Sequence, residues 1–337
     1  MRYLQKNGKV KQVKLDVKDK KIVSLLSTDA RMPLTQISKK VGLSRDAVSY
    51  RIKGFEDKGV IQGYRTIVNI GKFGYDNYHL FIKLNNPSSE AEKKVVAKLV
   101  KRPFIRAILK FSGNFDLEIA LVAKGVSGLD DVLGKVLSDC NGMIQDYEVL
   151  AISKNYVAET FPPNFSGLAP MKKDVVGGSR GKLDGVDIKI LDILGEEAQT
   201  PLFEIGGKVG LSADAVSYRI KNMIASGVII KFIPAINYIS LGYSLYTFLL
   251  NIDGFDAEKE NKLKSILDKD RNTLWAVKTI GRYNVLIYLL VKDVADLQET
   301  ILKLRGLFPK QLNRYEMLIA YEEYKYVYFP KGLVGNP

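Results

Sequence analysis

The chain contains one internal repeat that constrains everything else about its fold. Residues 41–53 read Val-Gly-Leu-Ser-Arg-Asp-Ala-Val-Ser-Tyr-Arg-Ile-Lys, and residues 209–221 repeat them with a single difference, Arg45 against Ala213. The offset is 168 residues in a chain of 337, so each copy occupies about half of the sequence. A repeat this sharp has to be interpreted before any local pattern.

The rest of the second half follows the first half without a net insertion. Pro201 matches Pro33, and the Gly-Val-Ile that starts at Gly227 matches the one that starts at Gly59. Further along, residues 281–284 match residues 113–116 at the same offset. The constant spacing indicates duplication of a whole unit and predicts that both halves have the same fold.

Each copy of the repeat is typical of a short turn followed by a helix. Gly42 and Gly210 suit the left-handed residue that ends a preceding helix. Ser44 and Ser212 are favourable N-caps for the helix that follows. In the first copy Val48, Ile52 and Phe55 then recur at helical spacing and predict one buried stripe.

The other faces of this helix carry hydroxyl groups and cations, at Arg45, Ser49, Tyr50 and Lys53. Such a helix fits the second, groove-entering helix of a helix-turn-helix, although an ordinary amphipathic helix explains the pattern of one copy equally well. The upstream sequence favours the former. It predicts a helix over residues 15–26 and a second one that starts after Pro33 and reaches Val41. Three helices in about 45 residues are typical of a helix-turn-helix domain.

The composition limits the other possibilities. No run of about 18 apolar residues exists, so no membrane span is predicted. The first residues show no apolar signal region, and we expect a cytoplasmic protein. The single cysteine, Cys140, and the single histidine, His79, argue against a disulfide framework, a metal site and histidine catalysis. We therefore expect no catalytic residues, no metal and no cofactor, with His79 serving as packing or surface on a strand.

The net charge of +14 predicts an anionic partner, with nucleic acid as the first choice. The charge is uneven, because residues 1–168 carry +11 and residues 169–337 carry +3. The contrast is larger over the helical windows, where residues 15–60 carry +4 and residues 183–228 carry −3. The two copies of the helical window therefore carry net charges of opposite sign.

After each helical window, the pattern predicts the order β-α-β-β-α-β, a ferredoxin-like sheet with both helices on one face. The face of this sheet that carries no helix has to be covered by another part of the protein. The predicted fold class is α+β, and the predicted organisation is a basic arm (1–14), a first helix-turn-helix (15–60), a first βαββαβ domain (61–162), a linker (163–182), a second helix-turn-helix (183–228) and a second βαββαβ domain (229–330). The arm is either disordered or lies along a phosphate backbone.

Several motifs in this order resemble the Lrp/AsnC, or feast/famine, family of transcription regulators. They are Leu-Asp-x-x-Asp at residues 15–19, Val-Gly-Leu-Ser at 41–44, Val-x-x-Arg-Ile at 48–52, Gly-Val-Ile at 59–61 and the Gly-x-aromatic-Asp/Asn turn at 113–116 and 281–284. The resemblance implies a winged-helix-like DNA-binding domain and a sensor domain whose sheets pack face to face in pairs. The family normally has one copy per chain, so two copies predict an intramolecular pseudo-dimer.

The resemblance implies double-stranded DNA as partner. The predicted DNA-binding residues are Ser44, Arg45, Ser49, Tyr50, Arg51 and Lys53 in the first copy and Ser212, Ser217, Tyr218, Arg219 and Lys221 in the second. Arg45 is the best candidate for reading guanine, since its fork matches O6 and N7. Arg51 either contacts phosphate or pairs with an acidic neighbour. Because Ala213 replaces Arg45, we expect the first helix-turn-helix to supply most of the affinity.

In the family, the turn between the second and third sensor strands helps to bind a free amino acid. The matching positions are Gly113, Asn114, Phe115, Asp116, Gly281, Arg282, Tyr283 and Asn284. The alternative is a β-turn whose glycine and asparagine only provide the positive φ that the turn requires. The resemblance also leaves self-association of pseudo-dimers open.

Two other functions compete with a sequence-specific regulator. A low-specificity architectural DNA-binding protein fits the basic arm and the high net charge. A siroheme-decarboxylase-like enzyme shares the two-domain fold in fused pairs, but its sites resemble a stretch rich in histidine and arginine before the third strand, and residues 104–110 and 273–278 contain no histidine. The sequence therefore predicts a regulator and not an enzyme.

Overall fold

The computed structural model of the chain describes residues 2–3, 12–140, 142–161, 165 and 183–334. Most of the predicted basic arm and of the predicted linker lies outside the described residues. The chain forms two compact units. The sheet unit takes its residues from Met1–Lys14, Asp76–Leu168 and Tyr238–Tyr326, and the helical unit takes its residues from Leu15–Tyr75, Ala169–Asn237 and Val327–Pro337. Both copies contribute to each unit.

The described residues form ten α-helices and eleven strands. The helices are α1 (Val17–Thr28), α2 (Leu34–Val41), α3 (Arg45–Asp57), α4 (Ser89–Leu99), α5 (Gly125–Asp139), α6 (Gly185–Glu196), α7 (Leu202–Val209), α8 (Ala213–Ala225), α9 (Ala257–Leu267) and α10 (Val294–Leu307). The strands are β1 (Arg2–Tyr3), β2 (Ile61–Val68), β3 (Asp76–Leu84), β4 (Ile105–Ser112), β5 (Leu117–Ala123), β6 (Ile144–Ala158), β7 (Ile229–Ile236), β8 (Ser244–Ile252), β9 (Thr273–Ile280), β10 (Val285–Val291) and β11 (Leu312–Tyr326). Among these elements, no helix combines the length and the hydropathy needed to cross a membrane.

The helical unit contains two three-helix domains with matching caps. Helix α1 begins with a capping box formed by Asp16 and Asp19, and α6 begins with the equivalent pair Asp184 and Asp187. Helix α2 ends at Gly42, whose φ of 68° is left-handed, and this turn lets α3 follow at an angle. The predicted stripe on α3 is confirmed at Val48 and Phe55, which are buried.

The strand that follows each three-helix domain pairs with its counterpart from the other copy. Strands β2 and β7 are antiparallel, with Ile61 opposite Ile236 and Val68 opposite Ile229. Each first helix is also tied to the partner strand, because the Ala30 amide donates to the Phe232 carbonyl and the Ala198 amide donates to the Tyr64 carbonyl. The boundaries predicted from the sequence place residues 61–75 and 229–237 in the sensor domains, whereas both segments belong to the helical unit, because their hydrogen-bond partners lie there.

The sheet unit contains two βαββαβ motifs, as the sequence predicted. Within the first motif the strand order is β4-β5-β3-β6, which is the ferredoxin-like order, and the second motif follows β9-β10-β8-β11. Helices α4 and α5 cover one face of the first sheet through a core that includes Leu80, Val96 and Val136. Helices α9 and α10 cover the matching face of the second sheet.

Two long strands join the sheets of the two copies. Strand β6 pairs with β3 through its first half and with β9 through its second half. Strand β11 pairs with β8 and then with β4 in the same manner, so eight strands close into a ring. Ala151 lies opposite Ile280, and Ile319 lies opposite Ser112, which is the same pair of positions with the copies exchanged.

The open face of each sheet is covered by the other sheet. The core between them takes Phe81, Phe111 and Leu150 from the first copy and Leu249, Leu286 and further residues from the second. Burial of large apolar side chains contributes roughly 1.5–3 kcal/mol each, so this core is a major source of stability. The two copies therefore pair with each other inside one chain, as an intramolecular pseudo-dimer.

Candidate nucleic-acid interface

Helix α3 presents the predicted DNA-binding residues on its solvent side. Ser44 caps the helix by accepting a hydrogen bond from the Ala47 amide at 3.1 Å, so its hydroxyl is engaged in the fold. Arg45, Ser49 and Lys53 are exposed. Tyr50 is 80% exposed, which is unusual for a tyrosine that serves packing. Within the described part of the chain, Arg45 and Lys53 have no ion-pair partner, so both cations are free to meet an anion.

Helix α8 presents a weaker version of the same surface. Ser212 caps the helix through the Ala215 amide, and Lys221 is exposed. Tyr218 is 67% exposed, whereas Ser217 is half-buried. Ala213 removes the cation at the first helical position. The second copy therefore presents fewer cations on this helix than the first.

The neighbouring helices increase the contrast between the copies. Lys39 and Lys40 are exposed near the end of α2, where a cation also complements the helix dipole. Their counterparts on α7 are Gly207 and Lys208. Phe203 on α7 is 70% exposed where the first copy has Thr35. The second surface has thus lost a lysine and gained an apolar side chain.

Arg51 and Arg219, which the sequence analysis included among the DNA-binding residues, lie in ion pairs. Arg51 Nη1 is 2.7 Å from Asp16 Oδ2 and 2.5 Å from Asp19 Oδ1. Arg219 contacts Asp184 and Asp187 at 2.9 and 2.8 Å in the same geometry. Of the two roles considered for Arg51, the structure supports pairing with acidic neighbours. The arginine clamps the third helix to the capping box of the first, which explains why both motifs occur together.

The charges of this clamp stabilise each other. The hydrogen bond from Arg51 lowers the pKa of Asp16 below its ordinary value, and the hydrogen bonds from Asp16 and Asp19 raise the pKa of Arg51. In the second copy the pKa of Asp184 is also lowered, first by its hydrogen bond from the Asp187 amide and then by Arg219. Arg51 and Arg219 therefore have structural partners that compete with any phosphate.

Contacts that no sequence motif indicated hold the two helical domains together. Arg31 Nη1 donates to the carbonyls of Ala198 and Thr200 at 2.7 and 3.2 Å, and its guanidinium lies 5.6 Å from the Phe232 ring centroid. Gln199, at the matching position of the second copy, donates to the Ala30 carbonyl at 2.8 Å. Arg31 and Gln199 occupy the same position of the repeat, but no pattern within one copy identifies a hydrogen-bond partner in the other.

The turns predicted to bind an effector lie where the two copies meet. A Cβ atom on Gly113 would lie 2.6 Å from Leu318 Cδ2, and one on Gly281 would lie 2.7 Å from the Val149 carbonyl oxygen. Both glycines have positive φ, at 143° and 148°. Each turn therefore touches the last strand of the other copy so closely that no side chain fits.

The remaining turn residues divide into buried and exposed groups. Phe115 and Tyr283 are buried in the core between the sheets. Asp116 Oδ2 accepts from the Leu84 amide at 2.7 Å, and Asn284 both accepts from the Ile252 amide and donates to its carbonyl. Asn114 and Arg282 are exposed. Asp116 and Asn284 thus cap the backbone at the ends of β3 and β8, and ligand binding by these turns stays a prediction.

The structure brings no metal-ligand cluster together among the residues it describes. His79 is almost completely buried on β3, and its Nδ1 lies 2.5 Å from Glu118 Oε1.

Both helical domains match known DNA-binding domains. Residues 15–56 match the AsnC-type helix-turn-helix domain, and residues 183–230 match a winged helix-turn-helix DNA-binding domain. The chain is 31% identical over 142 residues to the HTH-type transcriptional regulator LrpA of Pyrococcus horikoshii, a match that covers 98% of LrpA and 42% of this chain. This chain belongs to the Lrp/AsnC family of transcriptional regulators. The leucine-responsive regulatory protein of Rhizobium meliloti is 30% identical over 79% of its length and 36% of this chain. Each of these relatives thus corresponds in length to one copy of this Lrp/AsnC chain.

The full two-copy architecture is found in a solved structure of an enzyme. The siroheme decarboxylase NirDL covers 94% of this Lrp/AsnC chain and 94% of its own chain, with a TM-score of 0.62 and 15% sequence identity. The likeness concerns the fold. It contradicts the sequence-based prediction that this is not an enzyme. That prediction rested on the absence of histidine from residues 104–110 and 273–278, whereas an enzyme shares the duplicated architecture over nearly the whole chain.

Proposed function

We propose that this Lrp/AsnC protein is a sequence-specific DNA-binding regulator in which the first helix-turn-helix supplies most of the affinity. The observation that carries the proposal is the exposed set of Arg45, Ser49, Tyr50 and Lys53 on α3, free of ion-pair partners in the described structure. A helix of this kind enters the major groove with the side chains of its N-terminal half at the base edges. Arg45 is at its first position and has the fork that recognises guanine.

The asymmetry of the two copies supports a target without twofold symmetry. A symmetric dimer reads a palindrome because both recognition helices carry the same side chains. Here Ala213 replaces Arg45, and the second helical window carries a net −3 against +4 for the first. Phosphate contacts depend on such cations, so the second copy contributes less non-specific affinity. We expect one strongly specified half-site flanked by weakly specified base pairs.

The test is selection of binding sites from random-sequence DNA by the full chain at two salt concentrations. We expect a steep loss of affinity with salt and an enriched motif whose two halves are unequal. Arg45→Ala lowers affinity by about 1–3 kcal/mol and relaxes one base preference. Ala213→Arg, the matched change in the second copy, makes the motif more symmetric.

Three outcomes contradict parts of this proposal. Equal losses from Lys53→Ala and Lys221→Ala exclude a dominant first copy. A steep salt dependence without any enriched motif indicates the low-specificity architectural protein instead. No binding at low salt removes DNA binding from the function, since electrostatic attraction is strongest there.

We also propose that the turns at residues 113–116 and 281–284 bind a small effector with an amino-acid-like head group. Exposed Asn114 and Arg282 flank glycines whose backbone approaches the other copy, and an arginine fork suits a carboxylate. The first turn carries one negative charge, at Asp116, and the second carries one positive charge, at Arg282, so the two sites differ by two charges and are expected to differ in ligand.

Calorimetric titration of the full chain with each of the twenty amino acids tests the effector. We expect heat for at least one of them and a reduced response in Arg282→Ala, with Asp116→Asn as the matched change in the first turn. No heat for any amino acid contradicts the proposal. An absorbance change on mixing with an iron uroporphyrin, a class bound by NirDL in its co-complex, indicates a tetrapyrrole ligand instead.

A further inference from the structure

A polar cluster is buried between the two sheets of the sheet unit, and both copies contribute to it. The Tyr288 hydroxyl donates to Glu118 Oε1, which also lies 2.5 Å from His79 Nδ1. The Trp275 ring stacks on His79 with a centroid distance of 5.3 Å and contacts Tyr288 at 5.2 Å. Glu118 and His79 belong to the first copy, and Trp275 and Tyr288 belong to the second. Glu118 and Tyr288 are 2% and 7% exposed, so water does not solvate their pairing.

The positions related by the repeat carry different residues. The second copy has Thr247 where the first has His79, and Leu286 where the first has Glu118. The first copy has Ala120 where the second has Tyr288, and Ala107 where the second has Trp275. Strand register places Ala107, Ala120 and His79 side by side in the first sheet, and Trp275, Tyr288 and Thr247 side by side in the second. The second sheet therefore has two large rings at the positions where the first sheet has two alanines.

This arrangement favours the pairing of a first copy with a second copy and disfavours the pairing of two first copies or of two second copies. Two first copies paired face to face would bury Glu118 opposite Ala120 and lose the volume of both rings. Two second copies would bury the Tyr288 hydroxyl opposite Leu286, with no carboxylate from the partner sheet to accept its hydrogen bond. A buried polar group without a partner is strongly unfavourable, and so is an unfilled cavity. Burial, followed by the negative charge of Glu118, raises the pKa of Tyr288, so its hydroxyl is a donor at neutral pH.

We propose that Glu118, His79, Trp275 and Tyr288 form a selectivity lock that makes the sheet of each copy a partner for the unlike copy and disfavours pairing of like copies from two chains. The surface that each sheet presents is thus an interface for the other half of this chain. The lock acts in addition to the covalent connection, which favours the same pairing by raising the effective concentration of the two copies.

Two pairs of cysteines report which copies have paired, in the full chain with Cys140→Ser. Ser112→Cys with Ile319→Cys reports unlike pairing, because these residues lie opposite each other across β4 and β11. Ser112→Cys with Ala151→Cys reports like pairing. Within one copy β5 and β3 separate these two residues, but in a pair of first copies from two chains Ser112 lies opposite Ala151. A short bis-maleimide reagent then links the cysteines within one chain or between two chains.

Each protein is unfolded, refolded at high concentration and cross-linked. With the native lock we expect links within one chain from the first reporter and a very low yield of linked chain dimers from the second. Tyr288→Phe removes the hydroxyl that Glu118 requires in the unlike pair and favours the like pair of second copies. We expect it to raise the yield of linked dimers roughly tenfold, the factor that corresponds to the loss of one buried hydrogen bond.

Tyr283→Phe is the matched control. Tyr283 is buried in the same core, but its hydroxyl faces Glu316 of its own copy at 3.5 Å, so its loss leaves the choice of partner unchanged. Glu118→Gln gives a second measurement because it retains the shape of the side chain without its charge, and we expect an intermediate yield. Equal dimer yields from the native lock, Tyr288→Phe and Glu118→Gln overturn the proposal and leave the covalent connection as the reason for unlike pairing.

Discussion

Arg51 had two possible roles on its helix, contact with phosphate or pairing with an acidic neighbour, and its surroundings favour the second. It lies one residue after the exposed Tyr50, yet its guanidinium turns toward Asp16 and Asp19 of the first helix. The neighbouring Ser49 and Lys53 point to solvent. The spacing of residues along a helix predicts on which side of the helix each side chain lies. Whether a cation at the edge of the buried side forms an ion pair depends on the carboxylates that a neighbouring helix places beside it.

The Arg51 clamp predicts a pH dependence of stability. Because the pKa of Asp16 is lowered in the folded chain, its contribution is complete above its ordinary value of 3.8 and is lost as the pH falls through the lowered value. Asp16→Asn retains a helix cap and removes the charge. We expect it to lower the melting temperature at pH 7 and to approach that of the wild-type protein as the pH falls below 3.8, as measured by circular dichroism.

Glu90→Gln serves as the control for this measurement. Glu90 pairs with Lys94 on an exposed helix surface, where such pairs contribute little. Its melting temperature should follow that of the wild-type protein at every pH. A deficit for Asp16→Asn that does not shrink in acid assigns the loss to the cap and not to the charge of the clamp.

Among the elements, the helices were predictable and the connecting strands were not. The glycine at 42, the serine cap at 44 and the stripe at Val48 and Phe55 each lie within two helical turns of the next, so local sequence specifies α3. Strand β2 was placed in the first βαββαβ domain (61–162), but its hydrogen-bond partner, β7, lies 168 residues away and belongs with it to the helical unit. Periodicity within one copy contains no information about a partner in the other.

The turn at Gly281 carries a prediction for the contact between the copies. Gly281→Ala places a methyl group 2.7 Å from the Val149 carbonyl at a φ of 148°. We expect a destabilisation of roughly 2–4 kcal/mol, from backbone strain and crowding together. Urea unfolding, followed by the fluorescence of the single tryptophan, Trp275, measures it in the sheet unit.

Gly134→Ala is the matched control in the same unit. Gly134 lies on the exposed side of α5, and a Cβ there meets no atom within 4 Å. Alanine is favoured over glycine in a helix by about 0.5–1 kcal/mol, so this variant should be slightly more stable. If both variants show the same stability, the close approach at Gly281 is not needed for the pairing of the copies.

At the scale of the whole molecule, the repeat and the open sheet face together indicated an intramolecular pair. Neither indicated that both units would be assembled from both copies, nor that β6 and β11 would each run through two sheets. The exposure of Arg45, Ser49, Tyr50 and Lys53 on one helix surface followed from the sequence. The ion pairs of Arg51 and Arg219 did not, because their partners come from another helix. The lock at Glu118 and Tyr288 could not be read from either copy alone, because it exists only where two unlike sheets meet.

The ring of eight strands has a consequence for how the protein is made. Strand β4 is complete after residue 112, but the strand that pairs along its outer edge is residues 312–326. On the ribosome, the outer edge of β4 therefore stays open through the synthesis of the roughly two hundred residues between 112 and 319, and the first sheet, complete once β6 ends at Ala158, keeps one apolar face uncovered until the second sheet is made. Open edges and apolar faces are the surfaces through which nascent chains aggregate, so the step most exposed to misassembly is this interval and not the folding of either copy.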